Sequence, residues 1–495
     1  MSRWESAETI RARLGREVGR IEKSAPFTVA LAYPSPYRAG MSSLGFQQIY
    51  KLIQRRDGTA CQRFFLPDDA EGVEVAPLSY EGLRPLRDFP VIAFSVAYEL
   101  ELAGVVQMLE ASAIPSLRAE RTDADPIVVA GGPLTFSNPL PLAPFVDAIV
   151  MGEADELIQD VMNVLESATD KTAALEALAA IPHVFVPSAH GSTLPSVAKC
   201  ADETLPAYSA IRSPDTELSD MFLIETERGC SRACQYCVMR RSTNGGMRIV
   251  KKETILGLIP EDARRVGLVG AAVSDHPKVA EIVRTLAERG CEVGLSSLRP
   301  DRLNDEFVGA LRSAGYKTLT TAMDGPSERL RESLERRARI KHLHRAAELA
   351  RAHGMKRLKL YLMVGLPGET DADIDECSAF VSELSAVVPV ALGIAPFCAK
   401  RNTPLDKSPF AGISTVNARL ERLRRGLKGR ADVRATSARW AWAEYVLAQG
   451  GEREGLAVRT AVHAGGTFAD YKRAFEAVAE RAPMKKKKSL HVVAS

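Results

Sequence analysis

The chain has 495 residues, 46% of them hydrophobic, and 65 Lys and Arg against 62 Asp and Glu leave a net charge of only +3, which argues against bulk nucleic acid or an anionic membrane as the main partner. The length corresponds to about three domains of ~150 residues. A mean hydropathy of −0.08 and the lack of an apolar run of roughly 18 residues argue against a transmembrane helix, and the charged start MSRWESAETIRARLGREVGR lacks a signal peptide's apolar core, so a cytoplasmic protein is expected.

To about Lys23 the chain reads as a charged helix. Short apolar runs follow at 27–33 (FTVALAY), 91–97 (VIAFSVA), 126–132 (PIVVAGG) and 146–152 (VDAIVMG), with helical stretches such as SLGFQQIYKLIQRR and ELELAGVVQMLEAS between them. Strands alternating with helices predict βαβ units and a parallel sheet. Ligands of such sheets sit at the carboxyl ends of the strands. Those ends carry Pro34-Ser35-Pro36, Ser95, Gly131-Gly132-Pro133 and Gly152-Glu153. Residues 183–218 hold several prolines and few periodic runs and read as a linker or bridging segment. A second βα series has candidate strands at 221–226, 266–273, 291–297, 317–323, 357–365 and 388–396. Six such units predict a partial (β/α)6 barrel, whose sites also lie at the C-terminal strand ends. From about Leu405 the chain reads as mostly helical and ends in a basic tail with Lys485–Lys488.

Eight cysteines are too few for a disulfide framework, but three of them crowd together in ERGCSRACQYCVMRR. Cys230, Cys234 and Cys237 form C-x3-C-x2-C directly after the first candidate barrel strand. Three thiolates on one loop hold three irons of a [4Fe–4S] cluster and leave the fourth without a protein ligand. Thiolate softness favours Fe–S or zinc over Mg or Ca. A zinc knuckle completed by Cys291, Cys398 or His276 uses the same three residues and is the competing reading.

The spacing, its place after the first barrel strand and Tyr236 before the last cysteine resemble the radical SAM superfamily. That resemblance implies a [4Fe–4S] cluster on Cys230, Cys234 and Cys237 whose open iron chelates S-adenosylmethionine (SAM), with Tyr236 against the adenine. It also implies SAM contacts along the later strand ends. Gly270-Ala271-Ala272 matches only partly the family's Gly-Gly-Glu-like turn for the SAM amino group. Ser296 and Ser297 end the third strand, and Arg299 after them is placed to pair with the SAM carboxylate. Asp324 stands where the family often has a ribose-binding Glu, and its segment also reads as a plain turn and helix N-cap. Gly365, in KLYLMVGLPGETDADI, belongs to a segment similar to the family's adenine-facing G-x-I-x-G-like strand. APFCAKRNTPL at 395–405 resembles the last-strand region of methylthiotransferase-like and related members, although no second cysteine trio supports an auxiliary cluster.

The order of motifs in 27–157 resembles the cobalamin-binding-type domain that precedes many radical SAM cores, closest to a largely uncharacterised subfamily with Gly-Met-Ser-x-Leu-Gly near the first strand. The D-x-H-x-x-G loop that ligates cobalt from below is missing, and no histidine precedes His183. The resemblance therefore implies either cobalamin held without a histidine ligand from this domain or a fold that has lost the cofactor. Candidate contacts are Ser42, Ser43, Ser95, Tyr98, Gly131, Gly132 and Gly152, all of which serve equally as turn or packing residues. Cys398 lies at the end of the last candidate strand, so it is placed to face the site. The remaining cysteines are scattered and read as core.

The expected α/β architecture is an N-terminal helix plus Rossmann-like cobalamin-type domain (1–182), a linker (183–218), a radical SAM core barrel of TIM type (219–404) and a small helical C-terminal domain (405–495). The expected activity is reductive SAM cleavage followed by functionalisation of an unactivated substrate carbon, foremost by cobalamin-dependent methyl transfer. Flavodoxin or ferredoxin is the expected electron donor, and the substrate class (small molecule, peptide or RNA) and oligomeric state stay open. The alternatives are a cobalamin-free radical SAM enzyme and a non-catalytic metal-bearing RNA- or protein-binding module.

Overall fold

The computed structural model describes residues 4–68, 76–239, 246–295 and 298–480. The N-terminal sheet contains β1 (Phe27–Pro36), β2 (Thr59–Leu66), β3 (Val91–Ser95), β4 (Ile127–Gly131), β5 (Ala148–Val150) and β6 (Val184–Phe185), in the order β2-β1-β3-β4-β5-β6. Every pairing is parallel except β5 with β6. Helices Leu44–Gln54 and Leu157–Ser167 cover one face through Phe46, Tyr50, Val161 and Met162. Helix Leu102–Ala111 covers the other through Val105, Val106 and Leu109. Burial on both faces is why β1, β3 and β4 are continuous apolar runs. The chain leaves β1 for β2 on one side and reaches β3 on the other, so the sheet's switch point lies between β1 and β3.

The β2 strand was not among the expected ones. Its run TACQRFFL is interrupted by Gln62 and Arg63, which read as polar surface. The Arg63 side chain is instead fully buried, paired with Glu17 at 2.8 Å and Glu81 at 2.6 Å. Two carboxylates allow that burial, because an unpaired charge there is too costly.

Residues 183–218 are stitched into both halves rather than hanging between them. Beyond β6, Ala198 bridges Gly152, Arg212 bridges Val18, and Tyr208 bridges Ile224 in the second half.

The second half contains β7 (Met221–Glu225), β8 (Glu227–Gly229), β9 (Met247–Ile249), β10 (Arg265–Val269), β11 (Glu292–Leu295), β12 (Thr318–Asp324), β13 (Arg357–Val364), β14 (Val390–Pro396) and β15 (Ala431–Ala435). The order is β11-β10-β7 in one parallel sheet and β12-β13-β14-β15 in another, and a parallel bridge between Leu298 and Thr321 joins them. The six expected strands are present, and together they form an open, partial barrel. β15 is a seventh, laid parallel on β14 in a stretch expected to be helical. Its sequence ADVRA has a single large apolar residue, so nothing in the run marks a strand.

The expected C-terminal helical domain is corrected in the same region. Helix Ile413–Gly426 packs Val416, Leu420 and Leu423 into the barrel core. Helices Glu452–His463 and Phe468–Glu480 instead send Val458, Ala461, Tyr471 and Phe475 into the N-terminal core beside Leu134, Leu142 and Phe145. The chain's end thus completes both halves. Lys485–Lys488 lies outside the described residues. Among the described residues no helix is long and apolar enough to cross a membrane.

Candidate active site at the barrel strand ends

The cysteine loop leaves the carboxyl end of β7 through β8 and returns through β9, which pairs antiparallel with it. Arg228 on β8 bonds Asp155 of the N-terminal half at 2.8 Å and Glu225 at 2.7 Å, and Arg248 on β9 pairs with Glu153. The far end of the loop is pinned by backbone: Gln235 N donates to Leu334 O at 3.1 Å, and Leu405 N donates to Gln235 O at 3.2 Å. Cys230, Cys234 and Cys237 are all free thiols. Burial raises the Cys230 thiol and pushes Cys237 up to about 11, and Cys234 adds to both through repulsion. The three sulfurs therefore share one electrostatic environment. The Arg336 guanidinium bonds Cys234. Among the described residues no three His, Cys, Asp or Glu side chains are grouped tightly enough for a single metal ion. A cubane asks less, since it takes one thiolate per iron, and three soft thiols on one loop beside a cation are the donor set it needs.

Asp324 closes β12 in the left-handed region at φ 64°, where the pairing with β13 shifts register. Asp tolerates that conformation better than most residues. Its carboxyl pairs with Arg336 and accepts from the Tyr236 hydroxyl. Burial raises its pKa, against the pull of Arg336. The Tyr236 ring packs on an apolar group of Leu330, Leu334, Leu366, Phe397 and Ala399. The structure thus joins Tyr236 and Asp324 to the cysteine loop. Arg336 links all three and was missed in sequence, because LERRARI has no pattern separating it from solvent-facing arginines.

Gly365 follows β13 at φ 89°, and a Cβ there would meet Val416 at 3.2 Å and Ala411 at 3.3 Å. Its N–H donates to both carboxylate oxygens of Glu369 at 2.9 and 3.0 Å, and Leu366 N donates at 3.3 Å. Arg419 pairs with the same carboxylate at 2.9 Å. Glu369 thereby fixes the turn that carries Leu366 toward Tyr236.

Arg299 is buried and committed to protein partners. It bonds both Asp301 oxygens at 2.8 Å and approaches Asp275 at 3.4 Å. Arg232, inside the cysteine loop, bonds Asp275 at 3.2 Å, so Asp275 ties the loop to the ends of β10 and β11. Arg299 Nη1 is buried without a hydrogen-bond partner and is the donor left for an anion. Ser297 lies outside the described residues. Glu227, on β8, accepts from Ala272 N at 2.6 Å and is wholly buried. Burial pushes its carboxyl up to about 8, with Glu225 and Asp275 adding. Sequence reasoning missed it because one Glu beside a cysteine motif carries no spacing signal.

The N-terminal candidates divide. Ser42 Oγ donates to Arg38 O at 2.7 Å and accepts from Leu218 N at 3.2 Å. Ser43 caps helix Leu44–Gln54. A Cβ on Gly132 would lie 2.6 Å from Val96 O, and one on Gly152 would lie 2.6 Å from Ala198 N and O. Both glycines are closed against the chain's own backbone. Ser95, Tyr98 and Gly131 stand at the strand ends: Ser95 pairs with Gly131 across β3 and β4, and Tyr98 is 45% exposed.

The family model described as "Radical SAM proteins, N-terminal" matches residues 45–187, and that of the "Radical SAM superfamily" matches 224–381. The uncharacterized protein MJ0966 of Methanocaldococcus jannaschii is 27% identical over 391 residues, covering 77% of this chain and 80% of that protein. The ribosomal protein uS12 methylthiotransferase RimO of Syntrophus aciditrophicus is 27% identical over 228 residues, covering 41% of this chain and about half, 47%, of that enzyme. Among solved structures, the cobalamin-dependent S-adenosylmethionine radical enzyme OxsB with aqua-cobalamin bound is 13% identical with a TM-score of 0.50, over 80% of this chain and 56% of that one. Its apo form is 11% identical, also at 0.50, over 91% of this chain and 72% of that one. At such identities the likeness is one of fold.

Proposed function

Because this chain belongs to the radical SAM superfamily through both its halves, we propose that it cleaves SAM reductively and functionalises an unactivated carbon of its substrate. The observation that carries this reading is the loop of three free thiols at the carboxyl end of β7, beside Arg336, Tyr236 and Asp324. Cys230, Cys234 and Cys237 would hold three irons of a [4Fe–4S] cluster. When bound, that cluster supplies the electron that breaks the sulfur–C5′ bond of SAM, giving methionine and a 5′-deoxyadenosyl radical that takes hydrogen from the substrate.

The chain's own residues position the reactants. Tyr236 and Leu366 offer apolar surface for the adenine. Asp324 faces the ribose from the end of β12, and the Glu369-fixed turn at Gly365 shapes the wall between them. Arg299 takes the methionine end, with the guanidinium held in place by Asp301. Arg336 offsets thiolate charge, which favours the reduced cluster. Phe397, Leu330 and Leu334 keep water from this side. A flavodoxin or ferredoxin is the proposed electron donor.

Methyl transfer through cobalamin is the finer reading that the N-terminal domain invites, and OxsB is described as cobalamin-dependent. A reaction without cobalamin is the second reading; at Gly132 and Gly152 the side a Cβ would take is occupied by the backbone of Val96 and Ala198. The reaction proposed is the SAM cleavage and hydrogen abstraction common to both readings.

The test is metal content after anaerobic purification with iron, sulfide and cobalamin supplied. The expected result is about four irons per chain and loss of iron when all three cysteines become Ala. One zinc per chain without iron overturns the reading. Near-stoichiometric cobalt beside the iron selects methyl transfer, and iron without cobalt selects the cobalamin-free reaction.

A further inference from the structure

The seam between the halves holds a charge cluster that the reaction above leaves unused. Lys400, beyond β14, donates to Glu99 Oε2 at 2.6 Å and to Glu444 Oε1 at 2.6 Å. Glu99 comes from the loop after β3, at the carboxyl end of the N-terminal sheet, and Glu444 from helix Ala438–Gln449. Glu101 is close by, holding Ser35 Oγ at 3.0 Å and Ala97 N at 2.6 Å. The exposed Tyr98 phenol is raised by burial of its ring and by Glu101, Glu444 and Glu99 together. Two carboxylates thus face one ammonium, and a third, Glu101, lies with them around the Tyr98 phenol.

The second observation is at Glu99 itself. Glu99 is 2% exposed, and its Oε1 is buried and accepts no hydrogen bond from any other group. Burial raises the Glu99 carboxyl and the short contact of Oε2 with Lys400 pulls it back; in the ionised form that this ion pair favours, Oε1 can only accept. A buried acceptor left empty is costly, and more so when the group is charged. The missing partner is therefore a donor, and the local excess of negative charge makes it a cationic one. The position is also suited to a reactant. Lys400 follows Phe397 and Ala399, which pack with Tyr236 beside the cysteine loop, so the cluster adjoins the apolar group that supports the cysteine loop.

We propose that Glu99 and Glu444, held apart by Lys400, recognise an amine or guanidinium group of the substrate. The word substrate rests on the radical SAM reading; the binding site does not. The test uses iron-loaded protein and four probes of similar length: cadaverine, agmatine, 1,5-pentanediol and glutarate. Calorimetry is expected to show binding of at least one of the two cations and none of the diol or the dianion. Glu99→Gln and Glu444→Gln are each expected to weaken it roughly tenfold or more. Glu444 lies at the rim, with 27% of its side chain exposed, so its variant keeps the test open if Glu99→Gln fails to fold. No cation binding in the wild type, equal binding of glutarate, or binding indifferent to both substitutions overturns the proposal. Formation of 5′-deoxyadenosine in the same wild-type sample reports separately on the radical SAM reading.

Discussion

Three thiols on one short loop resist ionising together, and a ligand that takes all three thiolates removes that cost. Cys230→Ala, Cys234→Ala or Cys237→Ala is expected to drop bound iron well below the wild-type level and to abolish SAM cleavage, read as iron content and 5′-deoxyadenosine by chromatography. Retained iron in all three single variants contradicts the ligand assignment. Glu227 gives a prediction with a sign. Its folded value of about 8 stands above an unfolded carboxyl value of about 4.3. Between those values the unfolded chain binds fewer protons than the folded one, so Glu227 costs stability as pH rises. Glu227→Gln removes that slope. The melting temperature of the iron-free variant, minus that of the wild type, is expected to grow from pH 5 to pH 8, and a constant difference goes against the buried, protonated state.

The Gly365 turn shows how one element is set by a residue beyond it. Glu369 satisfies two backbone N–H groups and Arg419 at once. Glu369→Ala leaves the two N–H groups unpaired and Arg419 with only the backbone carbonyl of residue 369, and chemical denaturation is expected to show a loss of about 3 kcal/mol or more. A loss within error of zero means the turn holds without its anchor. Elements were legible in the sequence where periodicity was strong. The apolar runs of β1, β3, β4, β7, β10, β13 and β14 were all readable, and so was the loop of Cys230, Cys234 and Cys237. β2 was hidden because a buried Arg63 looks like surface until Glu17 and Glu81 are seen beside it. β15 was hidden because an edge strand needs little apolar content. Arg336 and Glu99 were out of reach for a related reason: their roles come from partners distant in the chain, which composition and spacing do not report.

At the scale of the whole molecule, the last helices belong to the first domain. Tyr471 and Phe475 lie in the N-terminal core with Leu134 and Phe145. Phe475→Ala is expected to cost about 3–5 kcal/mol, and a chain stopped at Gly450 is expected to expose the N-terminal half to limited proteolysis first. Cleavage starting in the barrel core instead contradicts this packing. The same wrapping brings Glu444 to the seam, so the ends of both sheets and the cysteine loop face one region. The central claim is that this region opens SAM by one-electron reduction, and the direct test is product analysis. Anaerobic protein with reconstituted iron and sulfide, given SAM and dithionite, is expected to release 5′-deoxyadenosine and methionine in equal amounts. The variant with all three cysteines replaced by Ala is expected to release neither. Intact SAM after incubation with fully iron-loaded protein, or equal 5′-deoxyadenosine from the triple variant, contradicts the account.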